Sequence, residues 1–143
     1  MITEYRKKHI WAVAELMRKS VLENGGGTEQ EANELYTLGL LHDIGYEFAS
    51  EKDYFYHNQI GGEFLKSQGY KYWQEVYWHG VAKSPYQSKF LDILNWADMH
   101  IDSEGNYVSF DGRLQEISDR YNVPIDQLDS KPIVDELKAR GFN

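Results

Sequence analysis

Apolar residues recur at three- and four-residue intervals along most of this chain, the spacing that gathers them on one face of an α-helix. From Thr3 to about Glu23 the set is Ile10, Val13, Ala14, Leu16, Met17 and Val21, and Asn24-Gly25-Gly26-Gly27 then breaks the pattern. A first helix is therefore predicted, with His9 in its early turns. Thr28-Glu29-Gln30-Glu31 reads as a capping box, in which the Thr hydroxyl accepts from the third residue's N–H and the Glu reaches back. The second helix it starts runs through Ala32, Leu35, Tyr36, Leu38, Leu40 and Leu41 into His42-Asp43-Ile44, with Gly45 placed as its stop. Near its end this helix is apolar almost all round, as a central buried helix is.

The charged and aromatic stretch from Glu47 to Tyr56 has no clear period and predicts a loop over the mouth of a site. Further helices fit about 57–68, closed by Gly69, then 72–81, 87–101, 111–121 and 133–140. Breaks fall at Pro85, Ser103-Glu104-Gly105-Asn106 and Pro124, and Ser130 with Pro132 suits the start of the last helix. Apart from the short Asn106-Tyr107-Val108-Ser109, no strand alternation, internal repeat or low-complexity tract stands out. The pattern predicts an all-α, compact single-domain bundle of about six or seven helices over residues 1–143, a length that can bury one core without disulfides.

Composition narrows the chemistry. Cysteine is absent, so neither a disulfide framework nor a thiol nucleophile is available, and any metal must be held by nitrogen and oxygen. The first residues show no apolar leader, and no apolar run approaches the ~20 residues that cross a bilayer, which makes a cytoplasmic location the expectation and excludes a membrane partner. A formal charge of −8 disfavours a grip on a nucleic-acid polymer. A small anionic substrate is still compatible where metal ions invert the local field. Aromatics make up 15% of the chain, and most are expected in the core.

Five histidines are present, and four fall at or near the ends of predicted helices. The strongest local signal is Leu40-Leu41-His42-Asp43-Ile44-Gly45, where two ligand-type side chains interrupt an apolar helix. Burying that carboxylate costs several kcal/mol unless it is paired or metal-bound. Helical neighbours point about 100° apart, so His42 and Asp43 converge only on an ion lying between their directions. The competing reading makes Asp43 a turn residue before Gly45 and His42 a hydrogen-bonded core histidine.

Taken with the other candidates, the chain resembles the HD-domain superfamily of metal-dependent phosphohydrolases, of the HDIG type. His42-Asp43-Ile44-Gly45 looks like its signature, and His9-Ile10-Trp11-Ala12-Val13-Ala14 like its first-helix histidine. His57-Asn58-Gln59-Ile60-Gly61 resembles the histidine after the following loop, His79 in Tyr77-Trp78-His79-Gly80 the fourth, and Asp98 in Asn95-Trp96-Ala97-Asp98 the closing Asp. The metal-site core would span about 5–102. A C-terminal helical extension over about 108–143 carries Val108-Ser109-Phe110, Arg113-Leu114, Ile117 and Arg120-Tyr121, which look like the tail of small HD proteins.

The resemblance implies one or two divalent transition metals: His9, His42, Asp43 and Asp98 bind the first, the only one that many members need, and His57 and His79 bind a second, bridged by Asp43. Imidazole mixed with carboxylate suits Mn, Fe, Co, Ni or Zn. Two departures stand out: Tyr46 where many relatives carry Lys, and Gly80 where binuclear phosphodiesterases carry a paired His, which leaves the second ion more open.

The implied activity is hydrolysis of a small phosphoester or phosphoanhydride, a nucleotide first among substrates, by metal-activated water. Glu47 is the candidate general base, competing with a role as a solvated loop residue. Lys52, Lys83 and Arg113 are candidate phosphate ligands, and Tyr46, Tyr77 or Trp78 could stack a base. His100 should point away from the site. Two alternatives share the same residues, an HD-type di-iron oxygenase and a non-catalytic metal- or ligand-binding module. A homodimer is compatible with the sequence.

Overall fold

In a computed structural model, which describes residues 2–23 and 26–143, the first predicted helix is α1 (Glu4–Glu23). The glycines that follow it lie partly outside the described residues. Helix α2 (Glu29–Leu41) starts where Thr28 accepts from the Glu31 N–H at 3.1 Å. Only that half of the capping box forms as predicted, for the Glu31 carboxylate accepts from Lys89 Nζ at 3.0 Å. Helix α1 packs chiefly on α2, and the two backbones nearly touch where Gly39 meets Ala14: a Cβ on Gly39 would lie 2.5 Å from the Ala14 Cα.

The second helix stops earlier than predicted. It ends at Leu41, and residues 42–44 form a turn. Gly45 then begins the short α3 (Gly45–Phe48) rather than closing α2. The stretch predicted as a loop is helical too: α3 is followed by a 3-10 turn over Glu51–Tyr56, which runs directly into α4 (His57–Ser67). The sequence period is hidden there because each piece is too short to repeat an apolar stripe.

Helix α5 (Trp73–Trp78) is shorter than predicted, leaving His79 in extended backbone beyond it. Helix α6 (Lys89–Asp98) starts at a Ser88 cap, α7 (Phe110–Tyr121) at a Ser109 cap, and α8 (Ser130–Ala139) carries Pro132 in its first turn. The fold is thus all-α, with seven helices of six residues or more besides α3 among the described residues. The one extended pairing described there is an isolated bridge between Ile101 and Tyr107.

Apolar burial falls into two clusters. Val13, Met17, Leu35, Leu38, Leu65, Val76 and Leu94 centre the larger, drawn from α1, α2, α4, α5 and α6. Phe110, Leu114, Leu128, Ile133, Val134 and Leu137 join Met99 in the smaller, under α7 and α8. Trp96 packs against both and so joins the C-terminal helices to the rest. His100 serves the same junction: its Nδ1 meets the Val108 carbonyl and its Nε2 the Asn143 carbonyl, each at 2.6 Å, while its ring stacks on Tyr107 and Phe110. It is buried and faces away from the other four histidines' cluster.

Candidate metal centre

Five separate pieces of chain bring His9, His42, Asp43, His57, His79 and Asp98 together. His9 comes from the second turn of α1, and Asp98 is the last residue of α6. His57 opens α4, and His79 follows α5. His42 and Asp43 stand in the turn between α2 and α3. Adjacent as they are, the two side chains converge: His42 Nε2 lies 3.2 Å from Asp43 Oδ2.

Each imidazole is held in the same way. The Nδ1 atoms of His9, His42, His57 and His79 meet the backbone carbonyls of Asp102, Gly39, Tyr54 and Val76 at 3.0, 2.6, 2.9 and 2.5 Å. A carbonyl can only accept, so each Nδ1 carries the proton and each Nε2 is left as a lone-pair donor. All four Nε2 atoms point at the two carboxylates. His9 Nε2 is 2.8 Å from Asp98 Oδ1, and His42 Nε2 is 3.6 Å from the same oxygen. His57 and His79 approach the other oxygen of Asp43, Oδ1, at 3.3 and 3.4 Å.

This arrangement is unfavourable unless positive charge sits in its middle. His42 is fully buried, and its Nε2 has no hydrogen-bond partner despite the nearby carboxylate oxygen. A buried, unsatisfied polar atom costs about 1–3 kcal/mol. A metal ion removes that cost, and ligand atoms on bonds of about 2.1 Å stand about 3 Å apart at right angles, the spacing seen here. Two triads have ligand atoms close enough for one ion, His9–His42–Asp98 and His42–Asp43–His79. The residues present therefore fit a divalent transition metal through nitrogen and oxygen, with Asp43 offering one oxygen to each side.

The electrostatics agree. Burial works against charge on both carboxylates, yet the imidazoles around them hold Asp43 and Asp98 well below the usual carboxylate range. Burial likewise opposes a second proton on His42, but the charges of Asp43 and Asp98 raise its pKa well above that of free histidine, so a proton and a metal ion are alternative occupants of the same Nε2. For His79 burial prevails, helped by its imidazole neighbours, and its pKa is lowered.

Beside the cluster lies a cavity of about 210 Å³, whose wall includes His9, Asp43, His57 and Asp98. Arg6 from α1 and Arg113 and Arg120 from α7 line it as well. Arg113 was expected there. Its Nε donates to the Asp98 backbone carbonyl at 3.2 Å and its Nη1 to Glu116 at 2.6 Å, so it braces Asp98. Arg6 and Arg120 were not among the candidates. Arg6 lies three residues before His9 in the same helix, which sets the two on one face, a turn apart.

Several predicted site residues stand elsewhere. Glu47 is exposed and accepts from the Ile2 N–H at 2.9 Å, facing the N-terminal backbone rather than the cavity. Lys52 is exposed in the 3-10 turn, and Lys83 is held against the second half of α8 by its N–H on Glu136 at 2.7 Å; neither lines the cavity. Tyr46 does line it, but cannot stack a base. The His57 ring lies parallel at 4.1 Å and the Arg6 guanidinium sits 3.4 Å from the ring centre, so its two faces are taken. Burial, with Asp43 adding to it, pushes the Tyr46 phenol far above its ordinary pKa and keeps it neutral. Tyr77 and Trp78 pack on each other outside the cavity.

The chain belongs to the HD domain family, whose model matches residues 6–134. That family is in general one of metal-dependent phosphohydrolases. No curated protein and no solved structure gave a match. No helix among the described residues is long and apolar enough to cross a membrane.

Proposed function

We propose that this protein is a metal-dependent phosphohydrolase acting on a small phosphoester or phosphoanhydride, with nucleotides the first substrates to test. One observation carries the reading: four imidazoles with their Nδ1 atoms tied to carbonyls aim their Nε2 atoms at two carboxylates, on the wall of a cavity that three arginines also line. His9, His42, Asp43 and Asp98 would hold one divalent ion and His57 and His79, with Asp43, a second. When bound, such an ion lowers the pKa of a coordinated water toward neutrality and polarises a phosphoryl oxygen.

The chain's own residues supply the rest. Carbonyl-anchored rings keep the ligand set in place before substrate arrives, so little reorganisation accompanies the reaction. Arg113 orients the Asp98 segment, and Arg6 and Arg120 add positive charge to the cavity of a chain of net charge −8. The whole of 1–143 acts as one unit in this proposal, since α7 contributes to the cavity wall.

The test is metal analysis of protein purified without added metal, followed by a phosphatase and nucleotidase panel with Mn or Co. Release of phosphate or nucleoside monophosphate is expected, and Asp43→Ala should abolish it. Full turnover in that variant would refute the proposal. Oxygen uptake with an iron spectrum, in place of phosphate release, would assign the site to an oxygenase.

A further inference from the structure

Three guanidiniums line the cavity, but they are not equivalent. Arg113 is buried and already paired: its Nη1 lies 2.6 Å from Glu116, and its Nη2 is 4.0 Å from Asp98. Arg6 and Arg120 form no ion pair among the described residues. Each instead lies over an aromatic ring, Arg6 over Tyr46 at 3.4 Å and Arg120 over Tyr121 at 4.9 Å. A ring face fixes a guanidinium without neutralising it, and the planar fork keeps its donors free for an anion.

The position of Arg6 matters as much as its charge. Tyr46 is sandwiched between Arg6 and His57, and His57 Nε2 is 3.3 Å from Asp43. Arg6 is thus set one ring beyond the metal-ligand cluster, beside it rather than over it. A phosphoryl group lying against the cluster would leave Arg6 and Arg120 facing whatever the phosphoryl group is attached to.

We infer that the cavity takes a substrate with a second anionic group, as in a phosphoanhydride or a bisphosphate, which Arg6 and Arg120 hold while the first group lies against the cluster. This rests on the reading that the cavity binds a phosphorylated molecule. Tyr46 is a positioning residue in it, acting through Arg6.

Two stable probes separate one anionic group from two: methylphosphonate and methylenediphosphonate, titrated calorimetrically into the Mn-loaded full chain. The diphosphonate should bind about tenfold or more tighter, and Arg6→Gln or Arg120→Gln should each remove about tenfold of its affinity while changing methylphosphonate binding less than about twofold. Arg120 is exposed, so its variant carries no folding burden. Tyr46→Phe keeps the ring and should keep the preference, whereas Tyr46→Leu should lose it. Equal weakening of both probes, or no change in either arginine variant, would overturn the inference. Arginine-dependent diphosphonate binding in a protein that hydrolyses nothing in the panel would support the clamp and refute the hydrolase reading; hydrolysis without any diphosphonate preference would do the reverse.

Discussion

Gly45 offers the sharpest test of how the fold sets the site. It follows Asp43 by two residues, and its Cα lies against the first residue of α4. A Cβ at this position would stand 1.8 Å from the His57 carbonyl oxygen, 2.6 Å from the carbonyl carbon and 3.0 Å from the Gly61 nitrogen. All three are backbone atoms, so no rotamer relieves the clash, and α3 and α4 would have to separate by more than an ångström. Overpacking that side chains can absorb costs about 1–3 kcal/mol. Here the backbone must move, which puts Gly45→Ala at about 3 kcal/mol or above, a large share of the ~5–15 kcal/mol that holds a domain folded.

For a chain of this size each kcal/mol shifts the melting temperature by about 2–4 °C, so a drop of about 10 °C is expected. The same separation draws His57 away from Asp43, now 3.3 Å distant, and the metal bound per chain should fall with it. Differential scanning calorimetry and metal analysis of the purified variant read both effects. Gly26→Ala is the control, since its Cβ would meet nothing within 4 Å. A Gly45→Ala protein that melts within about 2 °C of the parent with unchanged metal content would show that the close approach of α3 and α4 does not shape the site.

Two further outcomes follow from side chains around the cavity. Glu47→Ala should leave turnover within about twofold, because Glu47 faces the Ile2 N–H and not the substrate; a loss of the 10²–10⁴-fold typical of a general base would restore it to the mechanism. Glu116 accepts from the Ser103 N–H and hydroxyl and from Arg113, which outweigh its partial burial and lower its pKa from 4.5. A depressed folded-state pKa means its contribution is present above pH 4.5 and is lost as pH falls below that value. After discounting for its exposure, Glu116→Gln should cost about 1 kcal/mol near neutrality and much less in acid, measured by urea denaturation across pH; an equal cost at both pH values would refute it.

His42 and Asp43 are legible in the sequence because each is a costly choice where it stands, and His9, His57, His79 and Asp98 through the resemblance of the motifs around them. His42 and Asp43 interrupt an apolar run, and His9 and Asp98 lie in helices whose other inward positions are Val13, Met17, Leu94 and Ala97. An apolar stripe is also why the predicted bounds of α1, α4 and α7 fall within a residue or so of the observed ones. What the sequence could not show is set by contacts between segments far apart in it. Gly45 looks like a helix stop, since glycine is common there, and only the His57 carbonyl pressed against it reveals the other reason for glycine. The lysines were chosen for charge alone, and charge does not say which way an exposed side chain of a short turn faces. Arg6 went unnoticed because an arginine near a chain start is ordinary on a helix surface. Its meaning comes from Tyr46, forty residues on, whose ring carries it against His57. Tyr46 thus brings a cation to the cavity by a route that runs through the fold and not through the motif.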